Sequence, residues 1–340
     1  MPFAPVGSDG VQFFYEDSGA PAASDSYVTL VLIHGGVFHS PIYRPMFKHA
    51  ADHNLRFVAL NLRDYPRTTP LSAAELDALR TGGKETQRAE IRARGLEIAS
   101  FIAWYIEHEG IPSITFSSGG DPVSGGVAVL GWSIGNCTTI SMLANADTLP
   151  LDVQGLLGRY MRTLIIYDPP YFALGGPDML RFRPQMIDRT KSTKDLGHTF
   201  SLFVSGYYAH SPSFLSSIAD ADEAQLDAGM VGHPILDPPP HHVPTLNRMT
   251  DAQLAECADY SVYEKSQVLM IRVDRTIYDD NTRRALFDKT IWPHLRVEYV
   301  WLDMSPGEGR AVNVRRIEGA NHFPHWDQPE ATAKFFGALF

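Results

Sequence analysis

Short apolar runs rich in β-branched and aromatic residues punctuate the chain. They fall at residues 11–16 (VQFFYE), 27–33 (YVTLVLI), 56–61 (RFVALN), 127–130 (VAVL), 164–167 (LIIY), 297–302 (VEYVWL) and 312–317 (VNVRRI). Runs of this length, bounded by Gly, Pro, Asp and Ser, read as strands. Between them the period changes. Over residues 84–108 the apolar positions Ala89, Ile91, Leu96, Ile98, Phe101, Ile102 and Ile106 share one face, with Arg and Glu opposite, which predicts a long amphipathic helix. Residues 134–147 and 329–340 also read as helices, and the Gly/Ser/Pro-rich SSGGDPVSGG as a loop. Strands alternating with helices predict an α/β fold, a mostly parallel sheet covered on both faces.

The alternation stops between Tyr171 and about Tyr263, where Pro, His, Phe and Tyr concentrate (FVSGYYAH, HPILDPPPHH). The expected organisation is a core in two parts, residues 1–170 and 263–340, with a largely helical layer inserted at 171–262. Length fits this division. The chain has 340 residues, a two-domain length at about 150 residues per domain, and the excess sits inside one domain rather than after it.

Charge narrows the partners. The net charge is −10, which argues against nucleic acid and against an anionic membrane surface. The two cysteines, Cys137 and Cys257, are too few for a disulfide scaffold. The N-terminus has no basic start followed by an apolar stretch, and no apolar run reaches membrane-spanning length, so a cytoplasmic protein is expected. Nothing in the pattern specifies an oligomeric state.

Candidate chemistry gathers at strand ends. Gly131-Trp132-Ser133-Ile134-Gly135 fits G-x-S-x-G between a strand and a helix, the context in which a serine on a sharp turn becomes a nucleophile. A hydroxyl needs a base to take its proton. His322, in the loop after the last strand (EGANHFPHW), is the first choice for that base and His325 its rival. His34-Gly35-Gly36-Val37 follows an early strand. Backbone N–H groups of Gly36 or Val37, together with that of Ile134, are candidates for an oxyanion hole. The glycines of SSGGDPVSGG precede a strand, the wrong order for a phosphate loop, and no dinucleotide fingerprint occurs. His233, His241 and His242 lie in Pro-rich spacing without cysteines or paired carboxylates, which does not suit a metal.

In these motifs and their order the chain resembles the α/β-hydrolase superfamily, everywhere except residues 171–262. The resemblance implies a Ser/acid/His triad beneath a cap inserted after the sixth strand, acting without metal or organic cofactor. The family's usual acid, just after the seventh strand, falls on Ser305 rather than on a carboxylate. Some members, among them enzymes similar to zearalenone lactone hydrolases and cofactor-free quinolone dioxygenases, carry it after the sixth strand, where Asp168 precedes two prolines. Asp303 remains an alternative, as do Asp274 and Asp279 if QVLMIRV (267–273) is the seventh strand. The implied activity is hydrolysis of a small apolar or aromatic carboxylic ester or lactone. Alternatives on the same fold are a cofactor-free lyase or dioxygenase and a non-catalytic small-ligand receptor. His34, Trp132 and Tyr171 are candidate substrate contacts. So are Phe203 and Tyr207 among the insert's His198, Phe200, Phe203, Tyr207, Tyr208, His210 and Phe214, most of which are expected to pack. Cys137, one turn past Ser133, reads as a small buried residue.

Overall fold

A computed structural model describes residues 3–7, 10–176, 192–217, 225, 229, 231–305 and 314–340. Eight strands form one sheet: β1 (Phe3–Val6), β2 (Val11–Asp17), β3 (Val28–Ile33), β4 (Leu55–Leu60), β5 (Val127–Trp132), β6 (Met161–Tyr167), β7 (Arg296–Leu302) and β8 (Val314–Ile317). Their order is β1-β2-β4-β3-β5-β6-β7-β8. Only β1–β2 and β2–β4 pair antiparallel, and every other neighbour is parallel.

The continuous apolar runs sit in the middle of the sheet for a physical reason. Every residue of β3, β4, β5 and β6 is buried, as expected of parallel strands covered on both faces. Successive side chains point to opposite faces. Val31, Ile33, Val58, Val129, Leu164 and Ile166 therefore share one core with Ile98, Phe101 and Ile102. Leu30, Leu32, Phe57, Ala59, Leu130, Ile165 and Tyr167 share the other with Met46, Ala333 and Phe336. The long helix α1 (Lys84–Glu109) packs on α2 (Asn136–Ala144), which also packs on α3 (Thr276–Phe287). At their crossing Gly95 leaves no room for a side chain, because a Cβ there would stand 2.5 Å from Met142 N. The terminal helix α4 (Pro329–Gly337) covers the second face through Ala333 and Phe336.

Some expectations need correction. The sheet begins one strand earlier than the pattern predicts, with β1, whose Pro5 is tolerated because it lies on an edge. QVLMIRV is not a strand. A π-turn (Tyr263–Gln267) runs into a short helix (Val268–Arg272). Burial recurs at Val262, Ser266, Leu269 and Val273, a spacing of three to four residues that belongs to a helix. Part of the SSGGDPVSGG loop forms a small hairpin, Thr115–Phe116 with Pro122–Ser124. The first two residues of the strand expected at 312–317 lie outside the described residues, as do 177–191, 218–224, 226–228 and 230 of the expected insert.

Between β6 and β7 the described residues form helices and turns and add no strand to the sheet. This connection is tied down at several points. Tyr208 N–H donates to Met304 O at 2.8 Å. Tyr207 OH donates to Asp327 at 2.8 Å. Asn321 Nδ2 donates to Ser205 O at 2.7 Å and to Thr245 Oγ1 at 2.8 Å. Among the described residues no helix is long and apolar enough to cross a membrane.

Candidate active site

Parallel strands deliver their C-terminal ends to one edge of the sheet, where ligands of open α/β sheets bind. The turns after β3, β5, β6, β7 and β8 carry His34-Gly35-Gly36-Val37, Ser133, Asp168, Ser305 and His322. Val37 (φ 70°), Ser133 (φ 54°) and Asp168 (φ 41°) all have left-handed backbones without being glycine. Such strain costs about 1–3 kcal/mol per residue and persists where the surroundings over-determine it.

The Ser133 turn shows why its neighbours are glycine. After β5 the chain makes one 3-10 turn (Ser133–Gly135) into α2. A Cβ on Gly131 would lie 2.3 Å from Thr139 Oγ1, and one on Gly135 would lie 2.6 Å from the His34 carbonyl. Asn136, the first residue of α2, donates through Nδ2 to Ser133 O at 2.8 Å and to Tyr167 O at 3.2 Å. One side chain thus ties the serine turn to the residue before Asp168.

Asp168 is 3% exposed, and its N–H extends the β6–β7 pairing by donating to Val300 O at 2.8 Å. Its Oδ2 accepts from His322 Nδ1 at 2.5 Å and from Ser305 Oγ at 2.6 Å. The bond to the carboxylate assigns the Nδ1–H tautomer to His322 and leaves Nε2 as the basic nitrogen. Trp132 packs against the His322 ring at 5.0 Å between centroids. Ser133 Oγ has no hydrogen-bond partner among the described residues.

His325 is a different kind of histidine. It is fully buried beside Trp132 and Tyr43, at 4.5 and 4.9 Å between ring centroids. Burial first, then the neighbouring His322, holds it well below the usual histidine range.

The glycine turn abuts the serine turn, since a Cβ on Gly35 would stand 2.9 Å from Ser133 Cβ. The N–H of Val37 is committed to Gln267 Oε1 at 3.1 Å, and Gln267 Nε2 donates to Tyr65 OH. The N–H groups of Gly36 and Ile134 have no partner among the described residues. A Cβ on Gly36 would be 3.6 Å from Ile134 Cγ2, so the two segments run side by side.

The family model described as "Alpha/beta hydrolase family" matches residues 30–335. The chain belongs to the alpha/beta hydrolase family. No curated protein matches it. This hydrolase-family chain resembles the N-acyl homoserine lactonase AidH in a variant complexed with N-hexanoyl homoserine lactone, at TM-score 0.52 and 13% identity, over 100% of this chain and 97% of that one. It also resembles Est816, an N-acyl homoserine lactone degrading enzyme, at TM-score 0.51 and 13% identity over 100% of both chains. An esterase from Exiguobacterium antarcticum matches at TM-score 0.47 and 11% identity, over 99% of this chain and 98% of that one. At these identities the likeness is one of fold.

Within this alpha/beta hydrolase chain the remaining acid candidates have other partners. Asp303 accepts Gly319 N–H at 2.7 Å, and burial raises its pKa. Asp274 caps Thr276 N–H at 2.9 Å after a helix rather than a strand. Asp279 pairs with Arg283 at 2.9 Å.

Three of the expected substrate contacts are engaged elsewhere. His34 is fully buried, donating from Nδ1 to Gly35 O at 2.9 Å and accepting Leu62 N–H at Nε2 at 3.0 Å. It shapes the turn and has no ring nitrogen to offer a ligand. Trp132 Nε1 is used by the His322 carbonyl. Tyr207 is pinned to Asp327 and stacks on His242 at 4.6 Å. Tyr171 is half-buried in the turn after Asp168, and Phe203, also half-buried, packs on Tyr208 at 5.3 Å. In the insert, Phe200 packs on Tyr263, His198 on Tyr260 and Phe214 on His210. His241 and His242 contact each other, and no group of three potential metal ligands occurs among the described residues.

The structure adds Asn136, Gln267 and the Ser305 hydroxyl to the site. Ser305 was marked in the sequence only by standing where an acid usually does. Asn136 and Gln267 carried no signal, because their partners include distant groups brought together by folding.

Proposed function

We propose that this protein is a serine hydrolase of carboxylic esters or lactones, with Ser133 as nucleophile, His322 as base and Asp168 as acid. The bond from His322 Nδ1 to buried Asp168 Oδ2, 2.5 Å, carries the reading. It orients an imidazole at the strand edge where Ser133 is held on a strained turn. His322 Nε2 takes the Ser133 Oγ proton as Oγ attacks the carbonyl carbon. The N–H groups of Gly36 and Ile134 hold the resulting oxyanion; Val37 is set aside because Gln267 occupies its N–H. Collapse breaks the ester C–O bond, and His322 gives its proton to the leaving alkoxide. Water, deprotonated by the same imidazole, then releases the acid and frees Ser133. Asp168 stabilises the imidazolium. The substrate is taken as small and apolar or aromatic from the aromatic residues concentrated between 171 and 262. Lactones belong in the substrate panel because AidH and Est816, of the same fold, degrade them.

The test pairs a fluorophosphonate probe with p-nitrophenyl esters and aromatic lactones. Labelling and turnover in the unmodified protein, both abolished in Ser133→Ala, are expected, with kcat reduced about 10⁶-fold. The His322–Asp168 bond also allows a second reading, proton abstraction from substrate by that pair. Turnover that survives Ser133→Ala would replace the first reading with the second.

A further inference from the structure

We infer that Ser305 is a positioning residue for the catalytic carboxylate, its hydroxyl and His322 converging on one oxygen of Asp168. This deepens the proposed function and rests on its assignment of Asp168 and His322. Ser305 Oγ donates to Oδ2 at 2.6 Å and His322 Nδ1 to the same atom at 2.5 Å. The hydroxyl distance is that of a charge-assisted bond. Ser305 is 1% exposed, so water does not stand in for its hydroxyl.

The hydroxyl is held from several directions. Ser305 N–H donates to Leu302 O at 3.0 Å, and Met304 N–H to Ala320 O at 3.0 Å. From the β6–β7 connection, Tyr208 N–H donates to Met304 O at 2.8 Å and His210 Nε2–H to Ser305 O at 2.9 Å. The turn that presents Ser305 is therefore fixed by β7, by the loop carrying His322 and by the inserted layer. Two donors from different elements on one oxygen fix both the plane of the carboxylate and the oxygen that meets the imidazole.

The bond also sets strength. An oxygen that accepts a hydroxyl shares its negative charge with that donor, leaving less to stabilise an imidazolium. Titratable groups beside this pair among the described residues include Tyr167, buried beside Asp168, His325, buried beside His322, and His210, bonded to the Ser305 carbonyl. Ser305 differs from these in bonding the carboxylate directly. The position at which the resembled family usually carries its acid here supplies a donor to Asp168.

The experiment compares the unmodified protein with Ser305→Ala and with Ser305→Cys, which keeps the volume and weakens the donor. Ser305→Thr keeps the donor. Two readouts are used: the pH profile of kcat/KM on a p-nitrophenyl ester, and the low-field ¹H resonance of His322 Nδ1–H. Loss of the donor is expected to lower kcat about 10-fold, the size of one hydrogen bond to a charged group. It also moves the acidic limb of the profile to higher pH and shifts the resonance, whereas Ser305→Thr restores both. An unmoved limb and an unmoved resonance in both Ala and Cys variants would overturn the inference. The resonance needs no turnover. If no substrate is cleaved and Ser133 is not labelled, the proposed function fails, and the resonance alone decides the role of Ser305.

Discussion

The indole Nε1–H of Trp132 donates to the main-chain carbonyl of His322 at 3.0 Å, joining residues 190 positions apart. The variable position of the G-x-S-x-G motif thereby holds the loop that carries the candidate base. Trp132→Phe keeps most of the ring packing and deletes the donor. It is expected to cost about 1 kcal/mol of stability and to lower kcat more than it raises KM. Thermal denaturation and steady-state kinetics on the same preparation check this. Unchanged kcat would mean that the loop is held without Trp132.

Asp168→Asn preserves shape and removes the charge that faces His322. The expected loss in kcat is about 10⁴-fold, with little change in thermal midpoint. Asp303→Asn, Asp274→Asn and Asp279→Asn should each remain within a few-fold of the unmodified protein. Their carboxylates bind Gly319 N–H, Thr276 N–H and Arg283 instead. A loss of similar size in any of those three would move the acid.

Stability should fall as pH drops below about 6.5. Burial pushes the folded-state value of His34 to about 3 and that of His39 to about 4, from a usual 6.5. Between those values and 6.5 the unfolded chain binds protons that the folded protein does not, so unfolding gains free energy as pH falls. The contribution is fully present above 6.5 and is lost progressively toward 4 for His39 and toward 3 for His34. Urea midpoints from pH 7 to pH 4 test it. They should decline over that range, and His39→Gln should decline less steeply.

Neither cysteine should be a handle for inhibition. Cys137 and Cys257 are buried, and burial raises each thiol to about 12. N-ethylmaleimide at pH 7.5 should leave the native protein unmodified by mass spectrometry and should modify both thiols in urea. Modification of Cys137 without unfolding would contradict its burial one turn past Ser133.

Much of this architecture was legible in the chain before it folded. Parallel strands buried on both faces must be continuously apolar, so YVTLVLI and LIIY announced themselves, as did the helical period of 84–108. The serine turn was legible because its geometry forbids side chains at Gly131 and Gly135. The strand alternative for 267–273 failed for the reverse reason. A short apolar run has the composition of a strand, and only its neighbours, burying one residue in three or four, make it a helix.

Folding alone sets one carboxylate, Asp168, against His322 and gives each polar neighbour its partner. Asp168, Asp303, Asp274 and Asp279 are alike as residues that end apolar runs or turns. They are separated by which of them the β6–β7–β8 register sets against His322. The same register brings Ser305 onto Asp168 across 137 positions and Gln267 onto Val37 across 230. Periodicity and turn chemistry act over a few residues and are written locally, so the sequence by itself determined the central strands, the long helix and the serine turn. Hydrogen bonds between strand ends depend on the order and stagger of a whole sheet, and only the tertiary structure fixes those.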